Sequence, residues 1–265
     1  MAAASPPEPG SVIVSLRDVA RSFHSTVAID EFNLDLRAGE FVSLLGPSGC
    51  GKSTALRVIA GLVPPSRGTV SWNLEDGLPA AERLGFVFQE PTLMPWATVA
   101  ENVRLPLKLM GDTRRESTPL VDKAIDRVGL GDFSAYYPRE LSGGMKMRVS
   151  LARALVAEPR VLLMDEPFAA LDEITRFRLN NDLLALWQSL RKTVVFVTHS
   201  VFESVYLSQR ILVMTSRPGR VFKELVIDAP YPRTEAFRTS AEYASLCRQV
   251  SQVLSQVIEP GVVEP

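Results

Sequence analysis

The residues with the clearest chemical meaning form a glycine-rich stretch of the pattern GxxxxGK[ST]. Its glycines let successive backbone N–H groups curl around phosphate oxygens, and a helix that begins there adds the positive end of its dipole. The lysine of such a stretch reaches the β- and γ-phosphates, and the hydroxyl after it binds Mg²⁺. The pattern therefore predicts a nucleotide site made by Gly46, Pro47, Ser48, Gly49, Cys50, Gly51, Lys52, Ser53 and Thr54.

The segments on both sides of this phosphate-binding loop agree with the prediction. Residues 40–45 form an apolar run that we expect to be a buried strand, and residues 54–60 have the pattern of a helix. A strand, a loop and a helix in this order are the context that the motif requires. A chance glycine-rich turn is the alternative, and these flanks argue against it.

Two acids lie at the end of a second apolar run, residues 160–165. Asp165 ends this predicted strand, where a carboxylate can hold Mg²⁺ directly or through water. Glu166 comes next and projects differently, which suits a base that polarises an attacking water. Acids at a strand end are also common as plain solvated termini, but the phosphate-binding loop upstream favours the catalytic interpretation.

A third stretch, residues 141–145, predicts a second place for an anion. Ser142 can cap the helix that we expect to run to Val156. Gly143 and Gly144 would expose backbone N–H groups in the first turn of that helix, where anions bind favourably. The alternative is an ordinary helix cap with no ligand.

The rest of the chain supplies the elements that position these residues. Alternating apolar and polar residues from 12 to 35 predict antiparallel strands, and residues 69–72 extend that small sheet. Prolines and glycines mark expected breaks in a mostly helical stretch, among them Pro106 and Pro119. Near-continuous apolar runs predict buried parallel strands, with a crossover helix at residues 174–191. The other expected strands are residues 85–88, 193–198, 211–214 and 220–227.

These elements predict one nucleotide-binding α/β domain at residues 12–228, with a helical insertion at about residues 90–158. Residues 1–11 are rich in Ala, Pro and Glu, which is typical of a disordered lead-in. Residues 229–265 are first interrupted by prolines and then have an amphipathic pattern, so we expect a helical extension there.

Composition excludes several other classes of protein. The 29 basic and 30 acidic residues nearly balance, so the chain offers no extended basic face for nucleic acid. Cys50 and Cys247 lie in unrelated segments and do not form a disulfide framework. No apolar run approaches the ~20 residues of a membrane span, and the N-terminus lacks the features of a signal peptide. Any membrane connection must therefore come through a partner.

The three motifs, taken in this order, resemble the ATP-binding-cassette (ABC) family. The resemblance covers residues 13–227 and implies an α/β P-loop NTPase fold with a RecA-like parallel sheet core. It also implies an N-terminal antiparallel β subdomain and an inserted helical subdomain. The implied activity is hydrolysis of ATP with Mg²⁺, by two copies of the chain that sandwich two ATP molecules head to tail.

In this family, residues 141–145 correspond to the signature loop, which faces the ATP held by the other chain. The resemblance therefore implies that Ser142, Gly143 and Gly144 bind nucleotide. Met145 replaces the usual Gln, and Met147 departs from the common basic-Gln-basic run that follows. Because Met145 leaves the backbone N–H groups intact, we expect a working signature loop with altered affinity.

The resemblance also gives roles to four more residues. Phe23 matches the aromatic residue under the adenine ring, and Asp172 matches the loop that crosses the dimer interface. Gln89 resembles the glutamine that touches Mg²⁺ and water. A lone histidine after a strand is more often structural, but the spacing of His199 after the acids resembles the γ-phosphate sensor. The implied catalytic residues are Glu166, His199, Lys52 and Gln89, and the implied Mg²⁺ ligands are Ser53, Gln89 and Asp165.

Two further stretches, residues 89–103 and 215–220, are similar to the nitrate, sulfonate and taurine branch of bacterial importers. In that branch, Leu93, Met94 and Trp96 would form the groove that grips a helix of a membrane permease. The chain would be peripheral at the cytoplasmic face of the inner or plasma membrane, with a solute-binding protein as an indirect partner. The sequence does not identify the transported solute, which can be a sulfonate, taurine, nitrate or a pyrimidine vitamin precursor.

Other classes of P-loop protein fit the sequence less well. A soluble ABC ATPase that acts on ribosomes or DNA usually carries two cassettes or a long coiled-coil insertion, and this sequence has neither. A P-loop kinase would need an acceptor pocket and a lid, and the signature loop argues against it. A non-catalytic scaffold would not need Glu166, Gln89 and His199.

Overall fold

The computed structural model of the protein describes residues 10–73 and 84–258. The chain divides into two compact units, of which the first comprises residues 1–81 and 191–265 and the second residues 82–190. Most of the predicted lead-in lies outside the described residues, and so do the last seven residues of the predicted extension. Ser11 is described, and its carbonyl oxygen accepts a hydrogen bond of 2.8 Å from the N–H of Ala38.

The first unit contains the predicted antiparallel sheet. Its strands are β1 (Val12–Phe23), β2 (Thr26–Arg37) and β4 (Arg67–Trp72), in the order β2-β1-β4. Alternate residues of β2 are buried, namely Phe32, Leu34 and Leu36. This period of two is expected of a sheet that turns one face to the core and the other to solvent.

Three buried strands form the parallel part of the same unit. They are β3 (Phe41–Leu45), β7 (Thr193–Thr198) and β8 (Arg210–Met214), and β3 pairs in parallel with both neighbours. The strand β9 (Val221–Val226) then pairs antiparallel with β8. Leu45 lies opposite both Thr198 and Val213. The loops that follow β3 and β7 therefore begin side by side at one edge of the sheet.

Four α-helices belong to the described part of the first unit. They are α1 (Lys52–Ile59), α6 (Val201–Leu207), α7 (Glu235–Arg238) and α8 (Ala241–Ser255). The predicted C-terminal helix is α8, which packs against α6 through Tyr243. The extension therefore covers the helix that follows β7.

Over residues 84–190, the second unit is built from two parallel strands and four α-helices. The strands are β5 (Leu84–Val87) and β6 (Val161–Asp165). The helices are α2 (Val99–Leu109), α3 (Arg114–Arg127), α4 (Gly143–Leu155) and α5 (Glu173–Leu190). Capping boxes start α2 and α3. In each, the backbone N–H of a glutamate donates to the hydroxyl of the threonine three residues before it, and the threonine N–H donates to the glutamate carboxylate.

Two prolines that were expected to separate helices lie inside them instead. Pro106 is within α2 and Pro119 is within α3. The helices end instead at Leu109 and Arg127. Their cap residues, Met110 and Val128, are each followed by a glycine with positive φ, a conformation that glycine adopts without strain. None of the described helices has the length and apolar character needed to cross a membrane.

One ion-paired arginine ties several strands of the first unit together. Arg210 starts β8, and its guanidinium donates to both carboxylate oxygens of Glu40, at 2.7 and 2.8 Å. It also donates to the carboxylate of Glu224 on β9 and to the backbone carbonyl of Asp35 on β2. The ion pair is almost fully buried, with Arg210 and Glu40 side chains 10% and 12% exposed. Opposite charge raises the pKa of Arg210, despite burial acting the other way.

Removing Glu40 should therefore cost far more stability than removing Glu224. Glu40→Ala leaves a buried guanidinium without its main partner, so we expect the free energy of unfolding to fall by about 3–5 kcal/mol. Glu224→Ala removes a half-exposed carboxylate, and we expect a loss of at most about 1 kcal/mol. Urea denaturation of both variants checks this, and equal losses would contradict the proposed anchoring by Glu40.

Candidate functional site

The phosphate-binding loop follows β3 and leads into α1, in the predicted order. Lys52 is the first residue of α1 and is only 4% exposed. Its ammonium donates to the backbone carbonyls of Gly46 and Pro47, at 2.7 and 2.8 Å. Its Nζ atom also lies 4.0 Å from the Sγ atom of Cys50. The loop's own carbonyls thus hold a buried cation where a phosphate is expected to bind.

Two positions of the loop require glycine. Gly49 and Gly51 have φ angles of 74° and 101°, which lie in the left-handed region. A Cβ atom on Gly51 would lie 2.5 Å from the carbonyl oxygen of Ala28 and 2.7 Å from a methyl carbon of Ile29. The loop can therefore pack against β2 only because this residue has no side chain.

The loop between β8 and β9 supports the phosphate-binding loop from a second side. Gly219 donates its N–H to the carbonyl of Ala28 at 2.9 Å and accepts from the N–H of Asp30 at 3.1 Å. Arg217 donates to the carbonyl of Gly49 at 3.2 Å. Residues 215–220, which suggested a branch of the family in the sequence, thus contact the nucleotide-site backbone.

His199 follows β7 directly, beside the point where the phosphate-binding loop follows β3. The turn around it is closed by Thr198, whose hydroxyl donates to the Glu203 carboxylate at 2.5 Å and accepts from the N–H of Ser200 at 2.9 Å. Ser200 caps α6 by accepting from the N–H of Glu203. The structure therefore places His199 at the same sheet edge as the loop, on a hydrogen-bonded turn.

Phe23 ends β1 and is followed by a tight turn at His24, which has a φ of 52°. The Phe23 ring is 38% exposed, and the guanidinium of Arg21 lies 4.7 Å from its centre. One aromatic face can thus hold a flat base while the ring is steadied by a cation–π contact.

In the second unit, Gln89 and the two acids lie at one sheet edge. Val87, the last residue of β5, is paired with Met164, the residue before Asp165. Asp165 is buried and Gln89 is exposed. Glu166 has a φ of 44°, a left-handed conformation that is uncommon for a residue with a side chain. Such backbone strain costs of order 1–3 kcal/mol and tends to occur at functional sites.

Arg176, on α5, holds the loop after Glu166 and was not identified from the sequence. Its guanidinium donates to the carbonyls of Phe168 at 3.2 Å and Leu171 at 2.8 Å. The loop ends at Asp172, whose carboxylate accepts from the N–H of Thr175. Hydrogen bonds from Thr175 lower the pKa of Asp172, so the carboxylate that caps α5 stays ionised.

The signature loop has the predicted helix-capping geometry. Ser142 precedes α4, and its hydroxyl accepts from the N–H of Met145 at 3.3 Å. Gly144 packs closely against α5, since a Cβ atom there would lie 2.8 Å from the Thr175 methyl group. A Cβ atom on Gly143 would lie 3.4 Å from the Leu171 side chain. The structure thus brings the signature loop beside the loop of Asp172.

Arg153 is a second residue that the sequence did not reveal. It lies on α4 and donates to the carbonyls of Pro91 at 2.8 Å and Thr92 at 2.9 Å. It also donates to the Thr92 hydroxyl at 3.0 Å. Thr92 has a left-handed φ of 47°, so these bonds fix an unusual backbone shortly after Gln89. The helix of the signature loop and the segment after Gln89 are therefore tied together.

The proposed Mg²⁺ ligands are compatible with that ion. Ser53, Gln89 and Asp165 offer a hydroxyl, an amide oxygen and a carboxylate, and Mg²⁺ prefers such oxygen ligands. No group of three or more His, Cys, Asp or Glu side chains forms a metal cage among residues 10–73 and 84–258. In proteins, Mg²⁺ usually keeps several waters and is bound by one or two carboxylates together with phosphate oxygens.

Comparison with known proteins establishes the family. The pattern of the family described as ABC transporter matches residues 29–169, which is more than half of the chain. The chain is 48% identical to an uncharacterized ABC transporter ATP-binding protein of Methanocaldococcus jannaschii, over 87% of this chain and 85% of that protein. The chain therefore belongs to the ABC transporter family and is an ATP-binding, ATP-hydrolysing subunit.

Two named relatives come from importers. The nitrate import ATP-binding protein NrtD of Synechocystis sp. is 44% identical, with 87% of this chain and 89% of the relative covered. The aliphatic sulfonates import ATP-binding protein SsuB of Bacillus licheniformis is 41% identical, with 91% and 92% covered.

Solved structures confirm the predicted fold class. The ATP-binding cassette MJ0796, dimeric in a post-hydrolysis state with ADP and Pi, matches with a TM-score of 0.71 and 32% identity, over 82% of this chain and all of that one. The protein cbiO1 of Clostridium perfringens, part of the transporter complex cbiONQ, matches with a TM-score of 0.74 and 26% identity, over 93% and 97%.

The contact of Gly219 with the phosphate-binding loop gives a specific prediction. A Cβ atom at this position would lie 2.0 Å from the carbonyl oxygen of Cys50, which is too close for two atoms that are not bonded to each other. Gly219→Ala must displace the loop, so we expect ATP affinity to fall at least about tenfold, or roughly 1.4 kcal/mol. Ser216→Ala in the same turn is the control. Calorimetric titration with ATP checks both, and wild-type affinity in Gly219→Ala would show that the turn does not support the loop.

Proposed function

We propose that the protein is the ATP-hydrolysing subunit of a bacterial importer and acts with Mg²⁺ on ATP held at a head-to-tail dimer interface. The observation that carries the proposal is the phosphate-binding loop, in which the buried Lys52 ammonium is held by the carbonyls of Gly46 and Pro47. These weak acceptors hold the cation in place until phosphate oxygens, which are stronger acceptors, replace them. Family membership gives the activity, and the geometry of this loop supports its proposed place in the chain.

The chain's own residues would share the work of hydrolysis. Lys52 and the loop N–H groups of residues 46–54 neutralise the phosphates, while Phe23 stacks on the adenine ring. Glu166 polarises the attacking water, and His199 contacts the γ-phosphate. Ser53, Gln89 and Asp165 would hold Mg²⁺, which would supply charge neutralisation for the phosphates when bound. Little covalent chemistry is needed, because phosphoryl transfer depends chiefly on positioning and electrostatics.

A second copy of the chain would complete each site. The N-terminus of α4 presents N–H groups that no helix carbonyl can satisfy, which suits the γ-phosphate of an ATP bound by the partner. Asp172 lies beside this loop and would cross the same interface. ATP then stabilises the closed dimer over the open one, and hydrolysis returns the equilibrium to the open form.

The segment after Gln89 offers a surface for a permease. Trp96 is 76% exposed, whereas Asn102 on α2 is fully buried below it. The Asn102 amide donates to the carbonyls of Met94, Ala97 and Thr98 and accepts from the Met94 N–H, so it fixes the turn that presents the indole. Together with the half-buried Leu93 and Met94, the exposed indole can form a contiguous apolar patch, the kind of surface that marks protein–protein contacts. We infer that Leu93, Met94 and Trp96 hold a permease helix.

The names of the relatives support the nitrate and sulfonate branch of importers for this chain, with the protein peripheral at the cytoplasmic face of the membrane. The solute would be recognised by the permease and by a solute-binding protein, so its identity lies outside this chain. A small oxyanion or sulfonate is the class that the NrtD and SsuB relatives favour.

Two substitutions separate binding from turnover. Lys52→Ala removes a charged donor, so we expect ATP to bind about 1.5–3 kcal/mol more weakly. Glu166→Gln keeps the shape but removes the base, so ATP should still bind and drive dimerisation while turnover falls at least about 100-fold. Calorimetry, size-exclusion chromatography with ATP and a phosphate-release assay measure these effects. Normal hydrolysis by Glu166→Gln would rule out the proposed base.

The importer role is tested by capture of partners. Tagged Glu166→Gln, expressed in the native host and solubilised gently with ATP and Mg²⁺, should retain a multi-spanning permease that mass spectrometry identifies. Adding Trp96→Ser should reduce the recovered permease at least about tenfold while ATP binding is unchanged. Recovery of ribosomal or DNA-associated proteins, with no membrane protein, would instead establish a soluble ABC ATPase.

A further inference from the structure

The C-terminal segment, residues 227–258, is built around the helix that follows His199. This helix, α6, has only seven residues and begins two residues after His199. Both of its ends are hydrogen-bonded to the C-terminal segment, and its buried face contacts α8.

Arg233 holds the C-terminal end of α6. It is only 3% exposed, and its guanidinium donates to the carbonyls of Val205 at 2.8 Å, Tyr206 at 3.1 Å and Ser208 at 2.8 Å. These carbonyls lie at the end of the helix, where no further turn can bond them and a positive charge is favourable. Burial lowers the pKa of Arg233, because the charged guanidinium loses hydration there.

The same guanidinium also binds the C-terminal segment itself. It donates to the carbonyls of Ile227 at 3.4 Å and Ala229 at 3.1 Å, through the other terminal nitrogen. In return, the Tyr206 hydroxyl on α6 donates to the carbonyl of Arg233 at 2.8 Å. The planar, fork-shaped guanidinium of Arg233 therefore joins five carbonyls, three at the end of α6 and two in the C-terminal segment. A lysine cannot reproduce this arrangement.

Tyr243 holds the other end of α6. Its hydroxyl donates to the carbonyl of Phe202, in the first turn of the helix, at 2.8 Å. Its ring lies between those of Tyr206 and Phe237, with centre-to-centre distances of 6.5 and 5.3 Å. Desolvation raises the pKa of Tyr243 well above its ordinary value, so the hydroxyl remains a donor at any physiological pH.

The first turn of α6 is continuous with the turn that carries His199. Thr198 binds both the Ser200 N–H and the Glu203 carboxylate, and Ser200 caps the helix. A shift of α6 along its axis would therefore move the backbone on both sides of His199. Because α6 has only two turns, its own hydrogen bonds are too few to fix its position.

We propose that the C-terminal segment is a brace for His199, with Arg233 and Tyr243 as positioning residues that act through α6. The brace sets the distance between the His199 ring and the γ-phosphate of bound ATP. This inference rests on the proposed role of His199. It assigns to the extension a function in sensing the γ-phosphate, in addition to covering the core.

The test compares nucleotides with and without a γ-phosphate, so that it does not depend on turnover. The ratio of affinities for a non-hydrolysable ATP analogue and for ADP is measured by calorimetry with Mg²⁺ in the full chain. Tyr243→Phe deletes one hydroxyl and keeps the ring, and Arg233→Lys keeps the charge and removes the fork. We expect each to lower the ratio roughly two- to tenfold, the effect of one displaced hydrogen bond. ADP affinity should stay unchanged.

The decisive measurement repeats both substitutions with His199→Ala. If the brace acts through His199, Tyr243→Phe and Arg233→Lys will have no further effect on the ratio in that background, because coupled residues are not additive. Equal effects with and without His199 would overturn the brace and leave only a stabilising role. Tyr136→Phe, the same change at an exposed tyrosine of the second unit, should leave the ratio unaltered.

The two proposals fail in different ways. If His199→Ala leaves the affinity ratio at its wild-type value, the proposed role of His199 is wrong. The proposed brace, which rests on that role, is then wrong as well. If His199→Ala lowers the ratio but Tyr243→Phe does not, only the brace is wrong. Thermal unfolding of each variant controls for lost fold, and Tyr243→Phe decides the matter if Arg233→Lys does not fold.

Discussion

Hydrogen bonds from cationic side chains to loop carbonyls hold the functional parts of this molecule in place. Loops that follow strands carry backbone carbonyls without partners in a sheet or helix, and buried carbonyls of this kind must be satisfied. Lys52 satisfies those of the phosphate-binding loop, Arg176 those after Glu166, and Arg153 those after Gln89. These three loops, which carry proposed catalytic residues, are thus each shaped by a cation whose own position is set by a helix.

The choice between lysine and arginine follows from what each cation has to do. An ammonium is a compact charge with three donors that can be redirected, so Lys52 can exchange the carbonyls of Gly46 and Pro47 for phosphate oxygens. A guanidinium is a planar fork that binds several acceptors in a fixed geometry. Arg153 and Arg176 hold loops that must keep their shape, and for them the fork is the better group.

The sequence was informative where function depends on backbone shape and uninformative where it depends on tertiary contacts. Glycines at Gly49 and Gly51 are required by their φ angles, so the motif could be read directly. The strands could be predicted because apolar runs of this length are typical of buried parallel strands. An arginine within a helix has the same pattern whether it faces solvent or a distant loop, and therefore Arg153 and Arg176 could not be distinguished from surface residues.

The local tendency of proline to end a helix also gave wrong predictions where packing outweighed it. Pro106 and Pro119 were expected to end helices, since proline removes one backbone donor and hinders the preceding turn. Both lie instead in helices that start with capping boxes and bury apolar side chains, such as Val103 of α2 and Val121 of α3. Each helix thus continues through its proline where a capping box fixes its start and one of its faces is buried. The ends could not be predicted from the prolines alone.

The two methionines that depart from the family pattern have different surroundings, and these decide what each changes. Met147 is buried beside Leu151 in the wall of a cavity of about 460 Å³, where a thioether needs no hydrogen-bond partner but an amide would. Met145 is bound through its N–H by the Ser142 hydroxyl, a contact that any side chain at this position allows. The capping of α4 is therefore independent of the departure at 145. The departure at 145 thus leaves the shape of the loop unchanged, and an altered affinity for nucleotide stays a prediction made from the sequence.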